Sequence, residues 1–137
     1  MPTNRRNQVF MLRLSFWIGA AIDAFVAVQL LLPGFWASFD HLSTYTPNTT
    51  LNFALAIAGS LMFGWTALLI WADRKPLERK SVLLLTVFPV IFGLMLNNLL
   101  AVESGLRPFQ STLPELILQA GLAVLFIFSY LNARRTN

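Results

Sequence analysis

One acidic side chain, Asp23, lies in the middle of an apolar run from Leu14 to Trp36. Carboxylates near the centre of a bilayer are rare, and they usually face a protein interior or a water-filled cavity. There a carboxyl group can take up a proton or bind a cation, as carboxyl groups do in pumps and transporters. Asp23 is therefore the first candidate for a ligand-binding or proton-binding residue.

Three further polar side chains inside apolar runs are candidates for the same site: Ser60, Asn97 and Gln119. At about 1.5 Å of rise per residue, Asp23 lies roughly 13 Å from the inner end of its run. Asn97 and Gln119 lie about 7 and 9 Å from the outer ends of theirs, so we expect these amides to meet. Ser60 falls between that level and Asp23. These depths predict a polar cavity that opens to the outside and closes beneath Asp23.

A purely structural role is the alternative for each of these residues. Asn97 and Gln119 can hydrogen-bond between helices, an interaction of about 0.6 kcal/mol on average in a membrane. Asp23 can persist as a neutral, hydrogen-bonded acid. Gln29 and Asn98 lie on other faces of their helices, so we do not assign them to the site, and Asn98 is free to face a neighbouring subunit.

The sequence offers little support for conventional catalysis. The one histidine, His41, follows Asp40 in a connection and lacks the second group of ligands that a metal site requires. The chain has no cysteine, which excludes disulfides, zinc-thiolate sites and thiol catalysis. It also has no glycine-rich phosphate loop and no HExxH motif. We therefore expect no cofactor and no metal.

Four apolar runs carry these side chains: 14–36, 52–72, 81–102 and 113–131. Each is close to the roughly 20 residues that a helix needs to cross a hydrocarbon core. Overall, 56% of residues are hydrophobic and 12% are charged, against about 25% charged in a soluble domain. The sequence predicts an all-α polytopic protein, a single membrane domain over residues 1–137 that forms an antiparallel bundle of four transmembrane helices.

The placement of charge predicts the orientation of the bundle. Of the 10 basic residues, all but Arg107 lie before the first run, between the second and third, or after the fourth. By the positive-inside rule, both termini and the middle connection are then cytoplasmic, in the bacterial inner membrane. Basic residues so placed are topological anchors, with anionic lipid headgroups as a secondary partner and no nucleic acid.

Small and polar residues mark packed helix faces in a membrane, because lipid is as apolar as leucine. Helical spacing gives one such stripe on each run: Gly19, Ala20, Asp23 and Ala27; Ala56, Ser60, Gly64 and Ala67; Thr86, Val90, Gly93 and Asn97; Glu115, Gln119, Leu122, Phe126 and Ser129. Pro89 predicts a kink in the third run. Thr49, Thr50 or Asn52 is expected to cap the second helix, and Ser111 or Thr112 the fourth.

The layout resembles the small multidrug resistance transporters, which have four short spans and one acidic residue in the first. This resemblance covers the topology and the position of Asp23 alone. The chain is longer at both external connections, and its Gly64–Ala67 segment lies in the second span, whereas the tryptophan-glycine motif of that family lies in the third.

Three hypotheses of function follow. The first is a small membrane protein that binds a cationic or amphipathic ligand at Asp23, coupled to protonation and transport, with a homodimer forming the path. The second is a non-catalytic accessory subunit of a larger membrane complex, in which Asp23 pairs with a partner. The third is an enzyme that modifies lipids.

Overall fold

The computed structural model describes residues 2–32, 34 and 48–134, with side chains from residue 5 onward. All regular elements within these ranges are helical. They are α1 (Pro2–Leu31), α2 (Thr49–Asp73), α3 (Ser81–Leu85), a π-helix (Thr86–Ile91), α4 (Phe92–Glu103) and α5 (Phe109–Arg134). The predicted first connection, which includes Asp40 and His41, lies outside the described residues.

Four stretches are long and apolar enough to span a membrane: Arg5–Leu31, Thr49–Asp73, Ser81–Glu103 and Phe109–Arg134. The third stretch runs continuously through α3, the π-helix and α4, and is called the third span below. These findings confirm the prediction of an all-helical protein with four helices that can cross a membrane.

Helix α1 packs along α2 and against α5, and α5 also contacts each part of the third span. The centre of these contacts is a cluster of buried apolar side chains that includes Phe16, Leu69 and Phe126. Many large apolar side chains point outward, among them Leu61, which is 70% exposed. An outward apolar surface of this kind suits contact with lipid.

Three hydrogen bonds between helices fix which helix ends lie together. Gln8 Nε2 donates to the carbonyl oxygen of Asn132 at 2.9 Å, and Lys80 Nζ donates to that of Ala133 at 3.2 Å. Farther along α1 the hydroxyl groups of Ser15 and Ser129 lie 2.7 Å apart and are buried. The start of α1, the start of the third span and the end of α5 therefore lie at one end of the molecule.

At the start of two helices, the observed arrangement differs from the capping residues that the sequence predicted. Asn48 caps α2, since its Oδ1 accepts a hydrogen bond from the Thr50 backbone N–H at 2.9 Å. Helix α5 begins at Phe109, so the hydroxyl groups of Ser111 and Thr112 lie inside its first turn and donate to the Pro108 carbonyl oxygen. In both cases the helix begins earlier than its apolar run, because polar residues extend it at its N-terminal end.

Pro89 lies in the π-helix, where the sequence predicted a kink. Proline has no N–H to donate to the carbonyl four residues earlier, and its ring clashes with that carbonyl. A wider turn accommodates both effects, and π-turns inside α-helices are often found at functional sites. At the start of this turn, Thr86 Oγ1 accepts a hydrogen bond from Trp65 Nε1 at 3.1 Å, which links α2 to the third span.

Candidate functional site

Asp23 lies on the face of α1 that packs against α2 and α5. One turn before it, a Cβ atom on Gly19 would lie only 2.9 Å from Cζ of Phe126. One turn after it, the Ala27 carbonyl oxygen lies 3.2 Å from where a Cβ on Gly59 would stand. The backbones around Asp23 therefore approach closely, as the small-residue stripe on α1 predicted.

The Asp23 side chain is buried. The residue is 9% exposed, and its Oδ2 atom is inaccessible and has no hydrogen-bond partner among the described residues. An unpaired charge in such surroundings is costly, so buried charges are normally paired or neutralised. Asp23 therefore requires a proton, a cationic ligand or a group from another molecule.

Hydrogen bonds link a second group of polar side chains, which we call the Arg107 cluster: Asn98, Arg107, Glu115 and Gln119. Arg107 Nη1 donates to Glu115 Oε2 at 3.0 Å and to Asn98 Oδ1 at 3.2 Å. Asn98 Nδ2 donates in turn to Gln119 Oε1 at 3.4 Å. The cluster ties α4, α5 and the connection between them together.

The turn after α4 brings Arg107 into this cluster. Gly105 has φ +73°, a conformation that favours glycine. Its N–H donates to the Val102 carbonyl and the N–H of Leu106 donates to the Ala101 carbonyl, which together form a Schellman motif. The chain therefore reverses tightly, and the Arg107 side chain reaches back over the last turn of the helix.

Contacts between α1 and α5 show how far the Arg107 cluster lies from Asp23 along the helix axis. Ser15 lies opposite Ser129, and Gly19 lies opposite Phe126, so four residues on α1 match about three on α5. Continued by one turn, this spacing places Asp23 near the level of Ala123. Gln119 then lies about one turn farther along, roughly 6 Å on the helix axis. The cluster thus begins one turn from the level of Asp23.

Of the predicted site residues, Gln119 is buried and hydrogen-bonded, but Asn97 does not meet it. Asn97 is exposed and lines a shallow surface depression with Leu100 and Glu103. Its neighbour Asn98, expected to lie on another face, is 8% exposed and bonds to Gln119. The π-helix explains this change, because its wider turn holds about one additional residue. Every later side chain is therefore rotated around the helix axis by about one residue position.

Ser60 lies away from Asp23 as well. It is exposed, and its hydroxyl group donates to the Ala56 carbonyl of its own helix. The whole stripe predicted for α2 is exposed, and the helix buries a different set instead: Gly59, Thr66, Leu69 and Ala72. Small residues occur on two faces of α2, so the stripe rule alone did not select the packed one.

Sequence reasoning did not assign Arg107 and Asn98 to a site. The sequence did mark Arg107 as unusual, because it is the one basic residue away from the predicted cytoplasmic segments. A glycine two residues before it marks the tight turn. The third span gave no comparable signal for Asn98, because an uninterrupted helix would turn that residue away from the other helices.

Among the described residues, no group of three His, Asp or Glu side chains is placed to hold a metal ion. Comparison with protein-family models, with curated proteins and with solved structures finds no match. The function is therefore argued from the geometry of Asp23 and the Arg107 cluster.

Proposed function

We propose that this chain is an antiparallel four-helix membrane protein, with both termini cytoplasmic, that binds a proton or a small cationic ligand at Asp23. The ligand enters from the outer half of the bundle, and its binding displaces a proton from the carboxyl group. Transport coupled to this exchange, by a homodimer, is the physiological activity that we infer.

The unpartnered Oδ2 of Asp23 carries this proposal. Polar groups buried to this degree usually have a hydrogen-bond partner, so an Oδ2 without one among the described residues supports a role in binding a proton, an ion or a ligand. Intramembrane acids that are not structural commonly lie on ion or proton paths. Gln119 and Asn98 supply polar atoms beyond Asp23, on the side from which the ligand is proposed to enter.

Calorimetric titration of the purified protein in detergent with tetraphenylphosphonium, a lipophilic cation, tests the proposal. Repeating the titration in buffers of different ionisation enthalpy counts the protons released. We expect binding with release of up to one proton, and tighter binding as pH rises, since the cation and the proton compete for one carboxyl group. Asp23→Asn should weaken binding at least tenfold, because a charge-assisted contact contributes about 1.5–3 kcal/mol.

Glu78→Gln is the matched control, because it makes the same acid-to-amide change at an exposed residue of the α2–α3 connection. That variant should bind the cation within twofold of the parent protein. Equal binding by Asp23→Asn and the parent protein would sink the proposal, as would binding without proton release at every pH.

An accessory subunit of a membrane complex is the second candidate, favoured by the exposed stripe on α2. Ala56, Ser60, Gly64 and Ala67 all face outward there, and a Cβ on Gly64 would meet nothing within 4 Å. Small residues of this kind let another helix approach closely. In this case Asp23 would pair with a group of the partner.

Photo-crosslinking in native membranes tests the second candidate. A benzophenone amino acid in place of Ser60 should then give a discrete adduct with a different polypeptide. The same residue in place of Leu131, on the exposed side of α5, is the control and should give only diffuse lipid adducts. An adduct with a second copy of this chain would support the dimer of the first proposal.

A further inference from the structure

The two ends of the molecule carry opposite balances of charge. The end where α1 begins and α5 stops holds eight described basic residues: Arg5, Arg6, Arg13, Arg74, Lys75, Arg79, Lys80 and Arg134. Two described acids, Asp73 and Glu78, lie at this end. At the opposite end the described charges are Glu103, Arg107 and Glu115, in which the acids outnumber the base. We call the first of these the basic end.

Each acid at the basic end is already paired. Asp73 Oδ1 lies 3.6 Å from Arg13 Nε, and Glu78 Oε2 lies 3.1 Å from Lys75 Nζ. Asp73 Oδ2 also accepts a hydrogen bond from Trp17 Nε1 at 3.3 Å. These acids are therefore already occupied in holding the local structure.

Two of the other basic residues are also occupied within the protein. The Arg79 guanidinium stacks over the Trp71 ring, 3.3 Å from its centre, in a cation–π contact. Lys80 donates to the Ala133 carbonyl near the end of α5, where a cation complements the helix dipole. Both contacts position the α2–α3 connection against the ends of the helices.

Four arginines remain exposed and without an ion pair among the described residues: Arg5, Arg6, Arg74 and Arg134. The Gln8 to Asn132 hydrogen bond brings Arg6 and Arg134 to neighbouring helix ends. The Arg13–Asp73 pair brings Arg74 beside α1, about two turns along from Arg6. The arginines thus lie at the basic end over a depth of roughly 10 Å along the helix axis.

Exposed tryptophans fix the depth of this surface in a membrane. Trp17 is 56% exposed and Trp71 is 46% exposed, and both lie nearer the middle of the molecule than the arginines. Tryptophan rings are enriched at the membrane–water interface, at the level of the lipid headgroups. Because Arg74 lies within one turn of Trp71, its guanidinium group reaches the layer that contains lipid phosphates.

We propose that the basic end binds the headgroups of anionic phospholipids through Arg74, Arg5, Arg6 and Arg134. Guanidinium groups match phosphate oxygens with paired hydrogen bonds, which suits them to a phosphodiester. An acidic segment of a soluble protein would approach from the water, whereas Arg74 lies at the level of the exposed tryptophans. Lipid is therefore the partner that this depth favours.

Native mass spectrometry of the intact protein in non-ionic detergent tests this proposal by counting bound lipids. We expect phosphatidylglycerol to bind at least fivefold more tightly than phosphatidylcholine, with the difference shrinking in high salt. Arg74→Gln should weaken phosphatidylglycerol binding about fivefold, the contribution of one basic residue near an anionic surface.

Lys75→Gln is the matched control, since it removes the same charge from the adjacent residue, which is already paired with Glu78. That variant should lower phosphatidylglycerol affinity less than twofold. Equal losses in the two variants would show a diffuse electrostatic field in place of a site and overturn the proposal. Binding of a polyglutamate peptide without any preference for phosphatidylglycerol would assign the surface to an acidic protein and overturn it as well.

Discussion

Asp23 and the Arg107 cluster both place ionisable groups among apolar helices, yet the two regions are stabilised differently. Close approach of small residues stabilises the region around Asp23, and the acid there has no partner among the described residues. Hydrogen bonds stabilise the Arg107 cluster, in which Glu115 and both amides are linked to one another or to the arginine.

The difference indicates which region is structural and which is available for a ligand. A connected polar network is costly to break, because each partner left behind is desolvated and unpaired. An acid without a hydrogen-bond partner among the described residues contributes no hydrogen bond to the stability of the fold. Substitutions that lower stability in one region and not in the other therefore test this assignment directly.

The largest loss of stability is expected from Arg107→Met. The side chain of Arg107 is 12% exposed, whereas that of Glu115 is 41% exposed and partly solvated. Removing the arginine leaves Glu115 and Asn98 without their charged donor, which should lower the free energy of unfolding by about 2 kcal/mol. Equilibrium unfolding in detergent, by steric trapping, measures this change.

The double variant Arg107→Met/Glu115→Leu serves as the control for that prediction. Because it removes the unpaired carboxylate as well, it should regain at least half of the stability lost in the single variant. A single variant that unfolds like the parent protein would mean that the cluster contributes little, and the contrast with Asp23 would then fail.

Gly19→Ala tests the packing around Asp23. The new methyl group would lie 2.9 Å from Phe126 Cζ and 3.1 Å from Leu69 Cδ1, and these two buried side chains would have to shift to accommodate it. We expect a loss of about 1–2 kcal/mol. Gly64→Ala is the control, because its methyl group enters open space, and it should leave stability unchanged or raise it by up to about 1 kcal/mol. Equal effects of the two substitutions would contradict the close packing.

Asn98→Ala and Asn97→Ala compare neighbouring residues that sequence analysis and structure assign in opposite ways. Asn98→Ala removes a donor to Gln119 and an acceptor from Arg107, so it should destabilise the protein by about 1 kcal/mol. Asn97→Ala changes an exposed side chain and should have an effect below about 0.5 kcal/mol. The reverse order would place Asn97 in the cluster and contradict the shifted register after the π-helix.

The sequence predicted the coarse architecture because length and apolar composition decide whether a helix can span a membrane. It also predicted the buried stripe on α1, where Gly19, Asp23 and Ala27 share one face. It did not predict the packed face of α2, because small residues occur on two sides of that helix. Nor did it place Asn98, because a proline predicts a distortion but not by how much the wider turn rotates the residues that follow.

The smallest effect on stability is expected from Asp23→Leu, which is also the substitution that most sharply tests the comparison. Leucine keeps a similar shape and removes a carboxyl group whose buried Oδ2 has no hydrogen-bond partner among the described residues, so no hydrogen bond of that atom is lost. Replacing an unpaired buried polar group by an apolar one is neutral or stabilising, and we expect a change within about 1 kcal/mol, in either direction.

Steric trapping of the Asp23→Leu and Arg107→Met variants under the same conditions measures both changes in stability. A loss of about 2 kcal/mol or more would mean that Asp23 has a structural partner, and the ligand site would then lose its main support. A variant as stable as the parent protein that no longer binds tetraphenylphosphonium would separate binding from folding at this residue.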